Sequence, residues 1–292
     1  MLEAVPNVSE GRDASAIDDI ASAFASRATL LDVHADADHH RSVFTLAGEE
    51  EPLVEGLLAG IVRAFELVDL RVHDGVHPRV GAVDVVPLVP LTSAGMSTAR
   101  RVAGGVAQRV AAEVDVPVFL YGELGGGRVP AFFRRGGLEE LSRRVGSREL
   151  VPDFGPASID PRSGAVLVGA RRPLVAYNVV LDTEDVDVAR EVAAVVRESG
   201  GGLPGVQALG LLLPRSGRVQ VSMNLVDPDR TPLHAVVERV TAQAAARGVP
   251  VAGGELVGLV PEHVLEAARL AGVELPGVDE AHVLERRLGL TW

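Results

Sequence analysis

Two histidines four residues apart, His73 and His77, stand in the stretch RVHDGVHPRVGAVDVVPLVP, residues 71–90. On a helix this spacing would bring both imidazoles to one face, as a zinc-binding pair requires. Gly75 lies between them, however, and Pro78 follows His77 directly. A proline disfavours helical geometry at the residue before it, so the pair belongs to a turn and the same-face argument fails. What such a turn offers is a rigidly held imidazole with Arg79 two residues on. A fixed imidazole beside a guanidinium can take up a proton next to a bound anion. An ordinary polar turn has the same composition, so this stretch alone leaves both readings open.

Five of the eight histidines, His34, His39, His40, His73 and His77, fall within 44 residues. In DVHADADHHRSV, the series His34, Asp36, Asp38, His39 has the rhythm of a dinuclear zinc hydrolase signature, with Asp36 where a histidine is usual. Such a site needs further histidines downstream. Only His234, His263 and His282 remain, all in helix-like patterns, and the chain has no cysteine, so no metal is expected. The missing cysteines also exclude disulfides and thiolate chemistry and agree with a reducing cytoplasm. A third segment, VPDFGPASIDPRSGAVLVGARR (residues 151–172), is rich in Gly and Pro. It could lie flat against a ring, using backbone groups as donors and acceptors, or simply connect two domains.

The net charge of −12 argues against a nucleic-acid partner, which needs a basic surface. Yet Arg41, Arg71, Arg79, Arg128, Arg134, Arg135, Arg162, Arg171 and Arg172 crowd the first 172 residues. A locally basic cleft in an acidic protein suits a small anionic ligand. Charged side chains are mostly exposed, so Arg134, Arg135 and most of the others are expected at the surface. Apolar runs such as residues 83–91 are far short of the ~20 residues of a membrane span, and no export signal is visible at the start. A cytoplasmic protein without a membrane partner is expected.

At 292 residues the chain is long enough for two domains. Helical spacing of Ile17, Ile20, Ala21 and Phe24 after Asp13 predicts a helix, as do Leu53, Leu57, Ile61 and Phe65, with Pro52 at the first helical position. TLLDVHAD and RSVFTLAG read as strands joined by a polar turn; AVDVVPLVP and VPVFLYGE read as further strands, with a helix over residues 97–114 between them. From about residue 172 the order becomes strand, helix, hairpin, helix, strand, with the hairpin turn at Pro214 to Gly217. That βαββαβ order predicts a ferredoxin-like unit. The expected class is α/β (α+β), with one subdomain over residues 1–170 and a second over 171–292.

VPNVSEGR, LLDVHADADHHRSVFTLAG, HDGVHPRVGAVDVVPLVP, VPVFLYGE, PDFGPASIDPRSGAVLVGAR and ELVGLVP, in that order, resemble the glutamate formimidoyltransferase (formiminotransferase) family over essentially the whole chain. The resemblance implies a stand-alone transferase, without the cyclodeaminase domain fused to it in vertebrates. It would move a formimino group between N-formimino-L-glutamate and tetrahydrofolate, the co-substrate, in histidine degradation, with no metal. It carries the catalytic histidine onto His77, with Arg79 and His34 as companions. Folate binding is carried onto Asn7 and the stretch Gly155, Pro156, Ala157, Ser158, Ile159, Asp160, Pro161, Arg162, Ser163 and Gly164. Two α/β subdomains with a ligand cleft or tunnel between them, and a homodimer, are implied as well. His34 stands where the vertebrate enzyme has an aspartate and His40 where it has an asparagine. His73 is then a solvated neighbour of the base. Arg79, Arg41, Arg171 and Arg172 are candidate clamps for carboxylates by charge. Formyl transfer between 5-formyltetrahydrofolate and glutamate, or folate binding without catalysis, are the alternatives.

Overall fold

A computed structural model gives the fold and describes residues 1–92 and 95–289. The chain divides into two units, Met1–Arg172 and Pro173–Trp292.

The first unit runs β1 (Leu2–Ala4), β2 (Asn7–Val8), α1 (Ala14–Phe24), β3 (Thr29–Asp36), β4 (Arg41–Gly48), α2 (Glu50–Leu67), β5 (Val83–Pro90), α3 (Met96–Val114), β6 (Val118–Gly122), α4 (Pro130–Arg134), α5 (Gly137–Gly146) and β7 (Val166–Ala170). These strands form one mixed sheet. β3 pairs with β4, and β1 and β2 both lie between β4 and β5 in antiparallel register. β7 sits between β5 and β6, parallel to each. The Gly- and Pro-rich segment read from sequence as a connector or ring-facing loop therefore ends in an inner strand, every residue of which is buried.

One face of this sheet carries α1, α2 and α3. Asp13 caps α1 by accepting the N–H groups of Ser15 and Ala16, and the helix buries Ile17, Ile20 and Phe24, Phe24 meeting Phe44 of β4 at 5.0 Å between ring centroids. α2 buries Leu53, Leu57 and Ile61 as their spacing requires. It begins at Glu50 rather than at Pro52, because two glutamates in the first turn suit the positive end of the helix dipole. Phe44, Leu46, Val83, Val86 and Leu88 complete that core. The opposite face buries Val85, Phe119, Tyr121 and Leu167 against Phe133 of α4 and Leu141 and Val145 of α5. No periodicity announced α4 and α5, which are short and separated by Arg135 and Gly136, the latter at positive φ.

β5 breaks strict alternation at one place. Asn7 pairs with Val85 but Val8 pairs with Val83, so Asp84 is an extra residue opposite β2. A bulge of this kind re-aims a side chain. Val83 joins the core under α1–α3 and Val85 the core under α4 and α5, while Asp84 reaches the side chains of Arg41 and Arg134.

The second unit is β8 (Val175–Leu181), α6 (Val186–Val196), β9 (Val206–Leu213), β10 (Arg218–Leu225), α7 (Leu233–Ala245) and β11 (Val251–Val257), followed by α8 (Glu262–Ala271) and α9 (Leu284–Arg287). Its sheet order is β11-β8-β10-β9, wholly antiparallel, the arrangement a βαββαβ chain makes in a ferredoxin-like unit. Alternating Val175, Tyr177, Val179 and Leu181 are buried in one core with Val192 of α6 and Val236 and Val240 of α7.

Residues 155–164 form an irregular, mostly exposed segment ahead of β7. Its end is tied down: the Gly164 N–H donates to Asp160 O at 2.8 Å, and Ala82 N donates to Ser163 O at 2.9 Å. Gly164 has φ +74°, and a Cβ there would lie 2.2 Å from Val80 O. Gly164→Val is thus expected to destabilise the empty protein by about 2 kcal/mol or more, seen as a lower denaturation midpoint. Were this glycine needed only for a bound ring, the empty variant would melt with the parent.

Candidate active site

The turn carrying His73 and His77 is fastened from several sides. His73 Nδ1 accepts the Gly75 N–H at 3.2 Å, which leaves its Nε2 as the donor to His40 O at 2.8 Å. The two rings stack at 4.1 Å, 19° from parallel. Burial, the largest influence, brings the His73 pKa down to about 4. His73 is accordingly a half-buried, neutral structural group and not the solvated neighbour expected from sequence; its two hydrogen bonds and the stack require it to be inside. His40, at φ +50°, accepts the Gly11 N–H on Nδ1 at 3.1 Å. Glu10 Oε1 lies 3.4 Å from the same nitrogen. Burial lowers the His40 pKa despite that carboxylate, so the Gly11 bond is the one we assign. Arg12 adds a link to Asp74 and donates from Nε to Ala37 O at 2.8 Å.

Arg79 closes the turn. Its Nη1 donates to Gly75 O (2.9 Å) and His77 O (3.1 Å), and its Nη2 to His73 O (3.0 Å). Three carbonyls of its own loop occupy the guanidinium that sequence suggested as an anion clamp.

His77 itself faces inward. Its ring meets that of His39 edge-on at 5.7 Å, and its Nδ1 is buried without a hydrogen-bond partner among the described residues. Burial, then the positive charges of Arg41 and Arg134, hold its pKa well below the ordinary imidazole value; Asp84 acts the other way. The ring is neutral around pH 7.

The charges around it converge on Asp84, which is fully buried. Arg41 Nη1 donates to Asp84 Oδ2 at 2.7 Å, Arg134 Nη2 bonds the same oxygen, and the Val80 N–H takes Oδ1 at 2.8 Å. Burial alone would raise this carboxyl, but the two guanidiniums outweigh it and hold it well below the usual carboxylate range. Arg41 is oriented further by Asn7, whose Oδ1 accepts from Nε at 3.0 Å and Nη2 at 2.8 Å. Asn7 pairs with Val43 in the sheet, two residues from Arg41, so both side chains leave the same face. Tyr121 lies in reach of the same charges, and burial pushes the pKa of its phenol up, against the positive charges of Arg171 and Arg134.

Of the residues expected from sequence, the structure brings His77 together with Asn7 and Arg41 through this cluster. His34 is on β3 opposite Val43, in the cross-sheet row that continues to Asn7 and Val85. The ring packed on His77 is that of His39, which sequence reasoning left without a role. Arg134 was expected at the surface. Its side chain is only 17 % exposed, because the buried carboxylate of Asp84 draws it in. No sequence signal marked Arg134; Asp84 had one, a lone carboxylate inside an eight-residue apolar strand. The carboxylate in the zinc-like series caps a turn instead, Asp36 Oδ1 accepting the N–H groups of Asp38 (2.7 Å) and His39 (2.8 Å). Among the described residues no three or more His, Asp or Glu converge as a metal site.

Residues 1–171 match the formiminotransferase domain, N-terminal subdomain, and residues 176–272 match the formiminotransferase domain. The chain belongs to the formiminotransferase family. This formiminotransferase-family chain is 39 % identical to a glutamate formimidoyltransferase of Thermoplasma acidophilum, covering 99 % of itself and 97 % of that protein. It is 37 % identical to a glutamate formimidoyltransferase of Streptococcus pyogenes over 91 % of itself and 90 % of that protein. With the formimidoyltransferase-cyclodeaminase of Gallus gallus it shares 40 % identity over 99 % of its own length but only 57 % of the other's. The whole-length matches place both units inside the family.

The depressed histidines make the stability of this formiminotransferase-family fold sensitive to acid. His73 titrates at about 4 when folded and at ~6.5 when unfolded. Between those values the unfolded state binds a proton that the native state refuses, so stability is lost as pH falls from about 6.5 towards about 4. His77, lowered in the same sense, adds to the slope. Denaturation midpoints measured across this window should fall with pH, and His73→Asn should flatten the dependence.

Proposed function

We propose that this protein transfers the formimino group between N-formimino-L-glutamate and tetrahydrofolate, with His77 as the proton acceptor and donor. The observation that carries the proposal is the imidazole of His77, kept neutral by burial and two guanidiniums, in a turn too tightly fastened to let it turn away. The folate amine that attacks the formimino carbon must lose its proton as the new C–N bond forms. The departing glutamate nitrogen must gain one as the old C–N bond breaks. A neutral histidine can accept the first and deliver the second, with no net proton change.

Other residues take places around this step. Arg79 and His73 hold the turn that presents His77. Asn7 acts by orienting Arg41. The exposed backbone of Gly155, Pro156, Ala157, Ser158, Ile159, Asp160, Pro161, Arg162 and Ser163 is proposed to hold folate, and Gly164 to fix the end of that segment on Val80. His34, which stands where the vertebrate enzyme has an aspartate, is proposed to assist His77 from one cross-sheet row with Asn7. A homodimer in the cytoplasm belongs to the same reading.

The test is formation of 5-formiminotetrahydrofolate by the purified protein, repeated with 5-formyltetrahydrofolate and glutamate. His77→Ala should lower kcat by ~10²–10⁴ while folate binding is retained. His73→Ala should instead lose stability by about 1–3 kcal/mol, with a smaller change in kcat. His34→Ala measures any assistance from that strand. The acidic limb of kcat/KM should lie below pH 6.5, in keeping with the lowered pKa of His77. A His77→Ala protein that turns over at the parental rate, or parental protein without formimino transfer, sinks the proposal.

A further inference from the structure

Arg134 is a guanidinium with an unmet requirement. Its Nη2 is bonded to Asp84, but its Nε is buried and has no partner among the described residues. A buried charged N–H without an acceptor is costly, and the planar fork of arginine matches the two oxygens of a carboxylate. The carboxylate already present cannot meet that requirement. Asp84 Oδ2 is shared by Arg41 and Arg134, and its Oδ1 takes the Val80 N–H. Two guanidiniums against one carboxylate leave the cluster net positive, beside a neutral His77 on which both arginines act directly. Two further arginines considered as clamps are engaged elsewhere: Arg79 on its own loop and Arg171 on Arg172 O at 3.0 Å.

We propose that Arg134, seated on Asp84 beside Arg41, grips the α-carboxylate of the formimino amino acid next to His77. This rests on the transfer reading above and names which group of the substrate the cluster recognises. The choice between carboxylates follows from bond counting. The formimino group is carried on the α-nitrogen, two bonds from the carbon of the α-carboxylate. The side-chain carboxylate is four bonds from that nitrogen, across two flexible methylenes. A cation pair adjoining the proton acceptor therefore suits the α-carboxylate, and gripping it fixes the nitrogen that must receive the proton from His77. The side-chain carboxylate is left to another part of the site.

Calorimetric titration, without folate and independent of turnover, tests this. The ligands are N-formimino-L-glutamate, its α-carboxamide and its side-chain carboxamide. The parent protein should bind the α-carboxamide roughly a hundredfold more weakly than N-formimino-L-glutamate. Arg134→Gln should weaken N-formimino-L-glutamate by a similar factor, leave the α-carboxamide unchanged, and weaken the side-chain carboxamide as much as the parent ligand. Arg134→Lys retains a charge for Asp84 but not the fork. It should melt near the parental temperature and still bind N-formimino-L-glutamate about tenfold or more weakly. Parental affinity in either variant, equal loss for the α-carboxamide, or an Arg134 effect that disappears with the side-chain carboxamide overturns the assignment, as does a parent protein with no affinity for N-formimino-L-glutamate. A parent protein that binds as expected yet transfers nothing to tetrahydrofolate overturns the transfer reading and leaves the subsite standing.

Discussion

The Asp84 carboxylate, wholly buried and shared between Arg41 and Arg134, is the constraint to which the rest of the site answers. A carboxylate removed from water needs partners of opposite charge and a donor for each oxygen, or it protonates. Those partners come from places far apart in the chain: Arg41 at the start of β4, Arg134 at the end of α4, and the backbone of Val80. Satisfying one side chain thus pins a strand, a short helix and the residue after the histidine turn to a common point. The bulge in β5 is what makes this geometry available, since an unbroken strand would have pointed Asp84 under α1–α3, among Val86 and Leu88.

A second constraint acts on the turn. A base useful near neutral pH must be uncharged and must stay put. The second follows from how residues 73–79 are fastened. Arg79 gathers three loop carbonyls, His73 bonds in both directions, and His40 accepts from Gly11 while in the left-handed region. A non-glycine residue held at positive φ stores backbone strain, which surrounding structure must over-determine. Here that structure is the stack with His73 and the bond to Gly11. Rigidity in the turn and charge in the cluster then act on the same ring, because the guanidiniums that disfavour imidazolium are those held by Asp84.

The chemistry and the electrostatics agree on one point. A net-positive, largely buried cluster repels a proton from His77 and attracts an anion. On the proposed reading, these are the neutral proton acceptor and the anion site that transfer from N-formimino-L-glutamate requires.

Much of the fold was legible in the chain itself. β3 and β4 fall where alternation and turn chemistry put them, α1 starts at its Asp13 cap, and the second unit follows from its βαββαβ order. These are local effects: side-chain period, capping and turn propensity act over a few residues and are written in neighbouring letters. The proline after His77 likewise ruled out a helical zinc pair without coordinates. What only the tertiary structure decided is which charges are inside. Arg134 and Arg135 are adjacent and chemically identical, yet one is drawn to a buried carboxylate and the other is exposed. Asp84 reads as an odd letter in an apolar strand until a one-residue bulge turns it towards Arg41. Burial of charge depends on partners 43 and 50 residues away, and no local pattern encodes a contact at that distance.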